Sequence, residues 1–407
     1  MTGALTGAEQ AVVEQAMAAP MLDQVLRWAA INSGSGNLEG LATMAGLLAD
    51  ACAPLPGTVD LLPPEPVTRI DTQGAVQAVA QGRNLLLTVR PQAPVQLLLT
   101  GHMDTVFGLD HPFQTCRWLA PGVLNGPGVA DMKGGLAVML AALTAFETSP
   151  EREGLGYQLV INSDEEVGSP GSAGLLARCA RGKLAAFTYE PAALPDGTLA
   201  AARPGSGNFS IVFAGRSAHA GRNPQDGRNA VVAAADLALR LTALVRPGLS
   251  VNCARIDGGG PNNVVPDKAV LRVNMRPLTP DDQAFASAAL DAAIAQVAAA
   301  HDLSVHRHGG FARPPKPIDA PGQRLLDLVR ACGRLLGQDI GWKDTGGVCD
   351  GNNIAACGVP VVDTMGVRGG SIHSDEEYLV VDSLGERAAL SALLLSRLAR
   401  DGGALLT

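Results

Sequence analysis

Two histidines and four carboxylates recur in short motifs along this 407-residue chain: His102 in GHMDTV, Asp131 in GVADMKGG, Glu165 and Glu166 in SDEEVG, Glu190 in YEP, and His373 in GGSIHSDEEY. Imidazole nitrogens and carboxylate oxygens are the donors that hold a pair of zinc ions sharing one bridging carboxylate. A hydrolase using two adjacent divalent cations is the chemistry these residue types would support.

Each motif has its own physical logic and its own plainer reading. In GHMDTV, a His two residues before an Asp on an extended segment puts both side chains on one side. Asp104 can then accept the ring N–H of His102 and fix its tautomer; a satisfied surface pair is the competing reading. Asp131 stands at the head of a long apolar stretch, where a helix start favours an ionised carboxylate. Its two oxygens could bridge two cations, although capping is the plainer use of such an Asp. In SDEEVG, neighbouring glutamates cannot do the same job in the same direction: one can ligate while the other takes a proton from water. Alone, an acidic pair is more often a solvated turn, and Glu190 before Pro191 is a weak signal by itself. His373 lies among glycines that allow close backbone approach. His219, in GRSAHAG, falls outside this series. Arg276 leaves LRVNMRP on its polar face, where it could grip a carboxylate in bidentate fashion. A turn histidine and a surface arginine are their plain readings.

The elements needed to position these groups can be read from periodicity. Apolar spacing predicts helices over Ala8–Ala30 and Leu38–Ala51, and strands over Leu85–Val89 and Val95–Thr100. The second strand is a dense apolar run suited to a central position, with His102 and Asp104 just past it. A helix is expected over Gly134–Thr148, then strands over Tyr157–Asn162 and Ala185–Tyr189, with Asp164, Glu165, Glu166 and Glu190 beyond their ends. Successive strand ends thus deliver polar residues to one rim, where open α/β sheets bind ligands. Near Arg203 the segment ARPGSGNF reads as a hinge. From there to FARPPKPID the pattern is strand, helix, strand, strand, helix, strand, which makes a small four-stranded sheet with two helices on one face. A helix over Gly322–Leu336, a strand over Val359–Asp363 and a closing helix over Leu384–Leu398 complete the chain. The division expected is a catalytic α/β domain in two parts, 1–203 and 314–407, interrupted by an inserted unit, 204–313.

Composition bounds the rest. Apolar residues make up 47% and aromatics 3%, which suits Ala-, Leu- and Val-lined α/β layers. A net charge of −8 without any basic run argues against nucleic acid as a partner. Seven cysteines without CxxC pairs read as thiols of a reducing compartment. The first residues lack a basic, apolar leader, and no run approaches ~18 apolar residues without charge. A soluble cytoplasmic protein with no membrane partner is the expectation.

Taken together, GHMDTV, GPGVADMKGG, SDEEVGSPGS, YEP, GRSAHAG, PNNVVP, GGVCDGNN and GGSIHSDEEY resemble the glutamate carboxypeptidase/aminoacylase/desuccinylase family of co-catalytic zinc hydrolases, over about Gly101 to Tyr378. The glutamate carboxypeptidase branch is the most similar. The resemblance implies a zinc-exopeptidase-like catalytic domain with a mixed central sheet flanked by helices, plus an inserted α+β lid and dimerisation domain. It implies two divalent ions, zinc with cobalt or manganese as substitutes. Asp131 would bridge them, His102 and Glu190 completing one ion's set and Glu166 and His373 the other's. Asp104 would orient His102, and Glu165 would be general base toward a water lying between the ions. His219 would reach a partner subunit's site to stabilise the oxyanion. Arg276 and Asn263 would bind the carboxylate end of the substrate. The chain departs from the family pattern at Cys349, where Ser or Thr is more usual, and at Pro127, where many relatives carry Arg.

The activity implied is hydrolysis of a peptide or N-acyl amide bond beside a free carboxylate in a small molecule or short peptide, by a homodimer joined through the inserted domain. Deacylation or desuccinylation of amino-acid intermediates is the alternative. A catalytically silent binding protein is disfavoured, because a silent relative would be free to lose ligands.

Overall fold

The computed structural model describes residues 4–405. Its larger unit is built on a six-stranded mixed sheet in the order Thr58–Leu62, Asn84–Val89, Leu155–Asn162, Val95–His102, Ala185–Thr188, Val361–Val362. The first three strands pair antiparallel, and the pairs from Leu155–Asn162 onward are parallel. Parallel strands end on the same edge, so His102, the 164–166 segment and Glu190 are delivered to one rim as the sequence pattern predicts. Leu97, Leu98 and Leu99 are fully buried, which fits a strand covered on both faces.

The helix Gly135–Phe146 packs behind the sheet against Gly7–Met17 and Asp382–Asp401. It is apolar nearly all round because it is enclosed nearly all round. Two helical stretches, Val129–Phe146 and Pro280–His301, reach the length and hydropathy of a bilayer span, but the first is 94% buried in this core. The second is an outer helix of the smaller unit, with Ala286, Leu290, Ala293 and Val297 turned inward.

The segment 206–313 forms its own four-stranded antiparallel sheet in the order Leu249–Gly258, Lys268–Pro277, Ser206–Ala214, Ser304–Arg313. The helices Ala230–Thr242 and Pro280–His301 cover it through a separate core that includes Phe213, Leu237, Leu271 and Leu290. Its two connections to the larger unit run side by side: Arg203 and Lys316 exchange backbone hydrogen bonds of 3.0 and 2.9 Å. Asp363, fully buried, accepts from Arg203 Nε at 2.8 Å and Nη2 at 3.0 Å, and lies 3.1 Å from Lys316 Nζ. Burial pushes against ionisation of Asp363, but the two cations outweigh it and hold its pKa below the ordinary range. The hinge is therefore pinned at its root.

Some boundaries differ from expectation. The helix predicted over Ala8–Ala30 is two helices, Gly7–Met17 and Met21–Ala29, because Pro20 interrupts the backbone ladder. The strand predicted over Val359–Asp363 shrinks to Val361–Val362. The strand Thr58–Leu62 and the hairpins over 67–79 and 117–125 were not foreseen, being short and mostly exposed, with little alternation to read. All seven cysteines are free thiols, most of them buried or partly so.

Glu9 joins the first helix to the last. It accepts from Thr6 N at 2.8 Å, Arg397 Nε at 2.9 Å and Arg400 Nη1 at 3.2 Å while only 4% exposed. Burial raises its pKa, but Thr6 and the two arginines overcome this and lower it. A depressed carboxylate contributes stability above the ordinary carboxylate range and loses it as pH falls through the folded value. Glu9→Gln should therefore cost about 3 kcal/mol in urea unfolding at pH 7, because Arg397 stays buried without its counter-ion. The difference from wild type should close under acid conditions, and a gap independent of pH would refute the assignment.

Candidate metal centre

His102 is the last residue of its strand and is 1% exposed. Its Nδ1 lies 2.9 Å from the Asp104 carbonyl oxygen and 3.4 Å from Asp104 Oδ1. The shorter contact is thus to the main chain, where Nδ1–H donates and leaves Nε2 with a free lone pair. The Asp104 carboxylate serves a different segment: Oδ1 accepts from Glu165 N at 3.1 Å, and Oδ2 from Glu166 N at 3.1 Å and Ser35 Oγ at 2.7 Å. Asp104 therefore anchors the turn that carries both glutamates, with the ring as its secondary contact.

Asp131 differs locally from expectation. The helix starts only at Gly135, and Asp131 has φ −113° and ψ 90° in an irregular turn opened by left-handed Gly128, with a cis peptide to Met132. Its N–H, and those of Gly128 and Ala130, donate to the carboxylate of Glu377 at 3.0, 3.2 and 2.9 Å. Glu377 is fully buried and sits four residues past His373, so one side chain ties the Asp131 turn to the His373 loop. That loop is tightly wound, with Ser371 at φ +52° and His373 at φ +63°.

The distances bring the groups together in two sets. His102 Nε2 lies 3.0 Å from Asp131 Oδ1 and 3.7 Å from Glu190 Oε2. His373 Nε2 lies 3.2 Å from Asp131 Oδ2 and 3.1 Å from Glu166 Oε2. Within each triad one donor atom per residue lies within 4.8 Å of the others, and Asp131 belongs to both. Its two oxygens face opposite imidazoles, which is the disposition a bridging ligand needs. The His102 side is closed, whereas the His373 side chain is 53% exposed, so access is from the His373 side.

Electrostatics tests whether cations fit here. Burial pushes Glu190 and Glu165 up to about 8 and Glu166 up to about 7, with neighbouring carboxylates adding to it and the imidazoles and Arg313 opposing it. Glu190 Oε1 is buried without a hydrogen-bond partner among the described residues. Burial disfavours a charged His102 ring, but Glu190, Asp104 and Asp131 hold its pKa well above the ordinary value. Hydrogen bonds donated to Asp131 and Glu166 raise His373 to about 11. Without cations this cluster must retain protons; N and O donors around a shared carboxylate are a set that divalent ions satisfy.

Glu165 belongs to neither triad. Its Oε1 accepts from Arg313 Nη2 at 2.7 Å. Arg313, 3% exposed, is the last residue of the smaller sheet's edge strand, and it also reaches Ser169 Oγ and the Asp350 carboxylate. Arg313 and Glu377 were not found from sequence. Arg313 stands before a proline pair that reads as a chain return, and Glu377 is one of three acidic residues in a motif noted for its histidine.

The remaining expected residues are elsewhere. His219 is exposed on the smaller unit, bridged to Val264, beside Asn263, whose carbonyl accepts from Ala220 N at 2.9 Å. His219 Nδ1 accepts from Gly221 N and Arg222 N, both at 3.1 Å, so the ring presents Nε2–H outward as a donor. Arg276 donates to Asn274 Oδ1 and to the Gly346 carbonyl, both at 3.1 Å, from the side facing the 344–349 loop. Among the described residues, none of these three shares a hydrogen bond or ion pair with the triads. Cys349 is buried at the start of the helix Asp350–Ala355, and its N–H donates to Asn352 Oδ1.

Comparison with known proteins places this geometry. A family model described as peptidase family M20/M25/M40 matches residues 98–397. The chain is 29% identical over 371 residues to carboxypeptidase G2 of Pseudomonas sp. (strain RS-16), spanning 90% of this chain and 86% of that protein. It is 28% identical over 336 residues to a succinyl-diaminopimelate desuccinylase of Xanthomonas oryzae pv. oryzae (strain PXO99A), spanning 77% and 86%. Its fold matches an M20 family metallo-carboxypeptidase of Sulfolobus solfataricus with a TM-score of 0.70, over 94% of this chain and 100% of that one, at 15% identity.

Glu377→Gln keeps the shape of the buried side chain but can leave an acceptor only at the Oε1 position for Ala130 and Asp131, setting an N–H donor against the Gly128 N–H. Cation affinity, read by competition with a chelating dye, should fall about tenfold or more with unchanged circular dichroism. Wild-type affinity in this variant would show that the link between the two loops is dispensable.

Proposed function

This chain belongs to peptidase family M20/M25/M40, and on that footing we propose that it hydrolyses a peptide or N-acyl amide bond adjacent to a free carboxylate, as a glutamate carboxypeptidase-like enzyme. Membership makes it a metal-dependent peptidase or amidohydrolase. The observation that carries the finer reading is the division of labour at the rim. Asp131 turns one oxygen to each imidazole, while Glu165, beside Glu166, stays out of both triads and is held by Arg313.

His102, Asp131 and Glu190 would hold one divalent ion, and Asp131, Glu166 and His373 a second, with zinc suited to these donors and cobalt or manganese able to replace it. Such ions, when bound, polarise a carbonyl oxygen and acidify water. Glu165 takes the proton of the attacking water as its oxygen bonds to the carbonyl carbon. When the C–N bond breaks, Glu165 returns that proton to the leaving amine, so the products are a carboxylic acid and a free amine. Its raised pKa, caused first by burial, suits a group that must both accept and release a proton near neutrality.

His219 Nε2–H is the donor proposed for the carbonyl oxygen in the transition state. Exposed on the smaller unit and without a hydrogen bond to the triads among the described residues, it is proposed to be delivered from a partner subunit, in a homodimer formed through that unit. Arg276 and Asn263 are the proposed contacts for the substrate carboxylate, Arg276 brought in as that unit closes and Asn263 arriving with its neighbour His219. The desuccinylase relatives support a second reading, deacylation of an N-acyl amino acid, on the same site.

Glu165→Gln should lower kcat about 10²- to 10⁴-fold while bound metal stays at wild-type stoichiometry by plasma emission analysis. Undiminished turnover would remove Glu165 from its role. Folyl-glutamate and dipeptides, run against N-acetyl and N-succinyl amino acids, separate the two readings: kcat/KM should favour the first group. If His219 acts from a partner subunit, dilution to monomer should cut specific activity, and a rate per subunit independent of concentration would reject that arrangement.

A further inference from the structure

A cavity of about 190 Å³ opens on the larger unit, lined among others by Asp196, Gly197, Gln338, Arg368, Glu386 and Arg387, with no candidate metal ligand among its walls. Arg387 stands out within it. The residue is 2% exposed, and its Nη2 donates to the Gly197 carbonyl at 2.6 Å. Its Nη1 has no hydrogen-bond partner among the described residues. The neighbouring carboxylate that could neutralise it, Glu386, is engaged instead by Arg368, with Nε–Oε2 at 3.0 Å and Nη2–Oε1 at 3.1 Å.

An arginine buried without a counter-ion is costly, and a guanidinium edge is shaped for a planar or tetrahedral oxyanion. Burial pushes the Arg387 pKa down to about 10, with Arg368 adding to that and Glu386 and Asp196 opposing it. The floor is also shaped for this side chain. Gly197 is left-handed at φ +98°, and a Cβ there would meet Arg387 Nη2 at 2.8 Å. Asp196 and Asp339 also line the cavity, but both are exposed, and Asp196 Oδ1 already accepts from Thr198 N at 2.9 Å. The buried charge still lacking a partner is therefore positive.

We propose that this cavity binds a small oxyanion, the carboxylate or phosphate of a small molecule, through Arg387 Nη1 with Arg368 as flanking cation. The site is separate from the metal centre, yet the segment that begins at Arg368 carries His373 five residues later, and Arg368 N is fixed by Ser383 Oγ at 2.9 Å. An occupant would steady the base of that loop.

The test is isothermal titration of the metal-loaded full chain with inorganic phosphate and, separately, with acetate, at constant ionic strength in chloride. Phosphate can also reach the metal centre, so the readout is a difference between proteins. Wild type should bind one equivalent more than Arg387→Met, and Arg368→Gln should retain that equivalent at about tenfold weaker affinity. Which titrant supplies the extra equivalent identifies phosphate or carboxylate as the preferred group. If Arg387→Met does not fold, Gln338→Glu, which sets a carboxylate in the cavity, should abolish the extra equivalent. Equal stoichiometry and affinity in wild type and the folded variants would overturn the proposal.

Discussion

Asp131, Glu165, Glu166 and Glu190 lie around His102 in a region that water barely reaches. Desolvation and mutual repulsion act on all of them, and a chain free to relax would move them apart. Most of them stay in place because the segments that carry them are anchored from behind. The turn bearing Glu165 and Glu166 is fixed by backbone donation to Asp104, and the Asp131 turn by backbone donation to Glu377. His102 is locked at the end of a fully buried central strand. The fold is in this sense a frame that holds like charges close enough for cations to compensate.

The same constraint joins the two units. Arg313 comes from the edge strand of the smaller sheet, yet it is buried against Glu165, Ser169 and Asp350 of the larger one. A few residues on, Lys316 meets Arg203 and Asp363 where both connections cross. The joint between the two units is therefore a cluster that also contacts the proposed base. The outer parts of that unit, with His219 and Asn263, are exposed and free of this clamp.

The electrostatic pattern also separates roles among chemically similar groups. Asp131, flanked by two imidazoles, is held below the ordinary carboxylate range although burial opposes it. Glu165 and Glu190, more deeply desolvated than they are compensated, are pushed above it. Environment, not residue type, therefore decides which of these carboxylates is held ionised and which is pushed toward its protonated form.

By itself the sequence determined the central strands that carry the motifs and the four strands of the inserted sheet, because apolar periodicity is a local signal; the short exposed strands left no such signal. His102, the 164–166 segment and Glu190 could be assigned to one rim from the order of apolar runs alone, since parallel strands share an edge. It could not reveal that Asp131 sits in an irregular turn, that Asp104 chiefly serves the glutamate turn, or that Pro20 divides the first helix. Nor could it single out Arg313 and Glu377. An arginine before two prolines and a glutamate ending a run of three acidic residues look like solvated loop residues. Only tertiary structure decided that they are buried, because their partners lie 148 and about 250 residues away along the chain, and nothing local encodes that meeting.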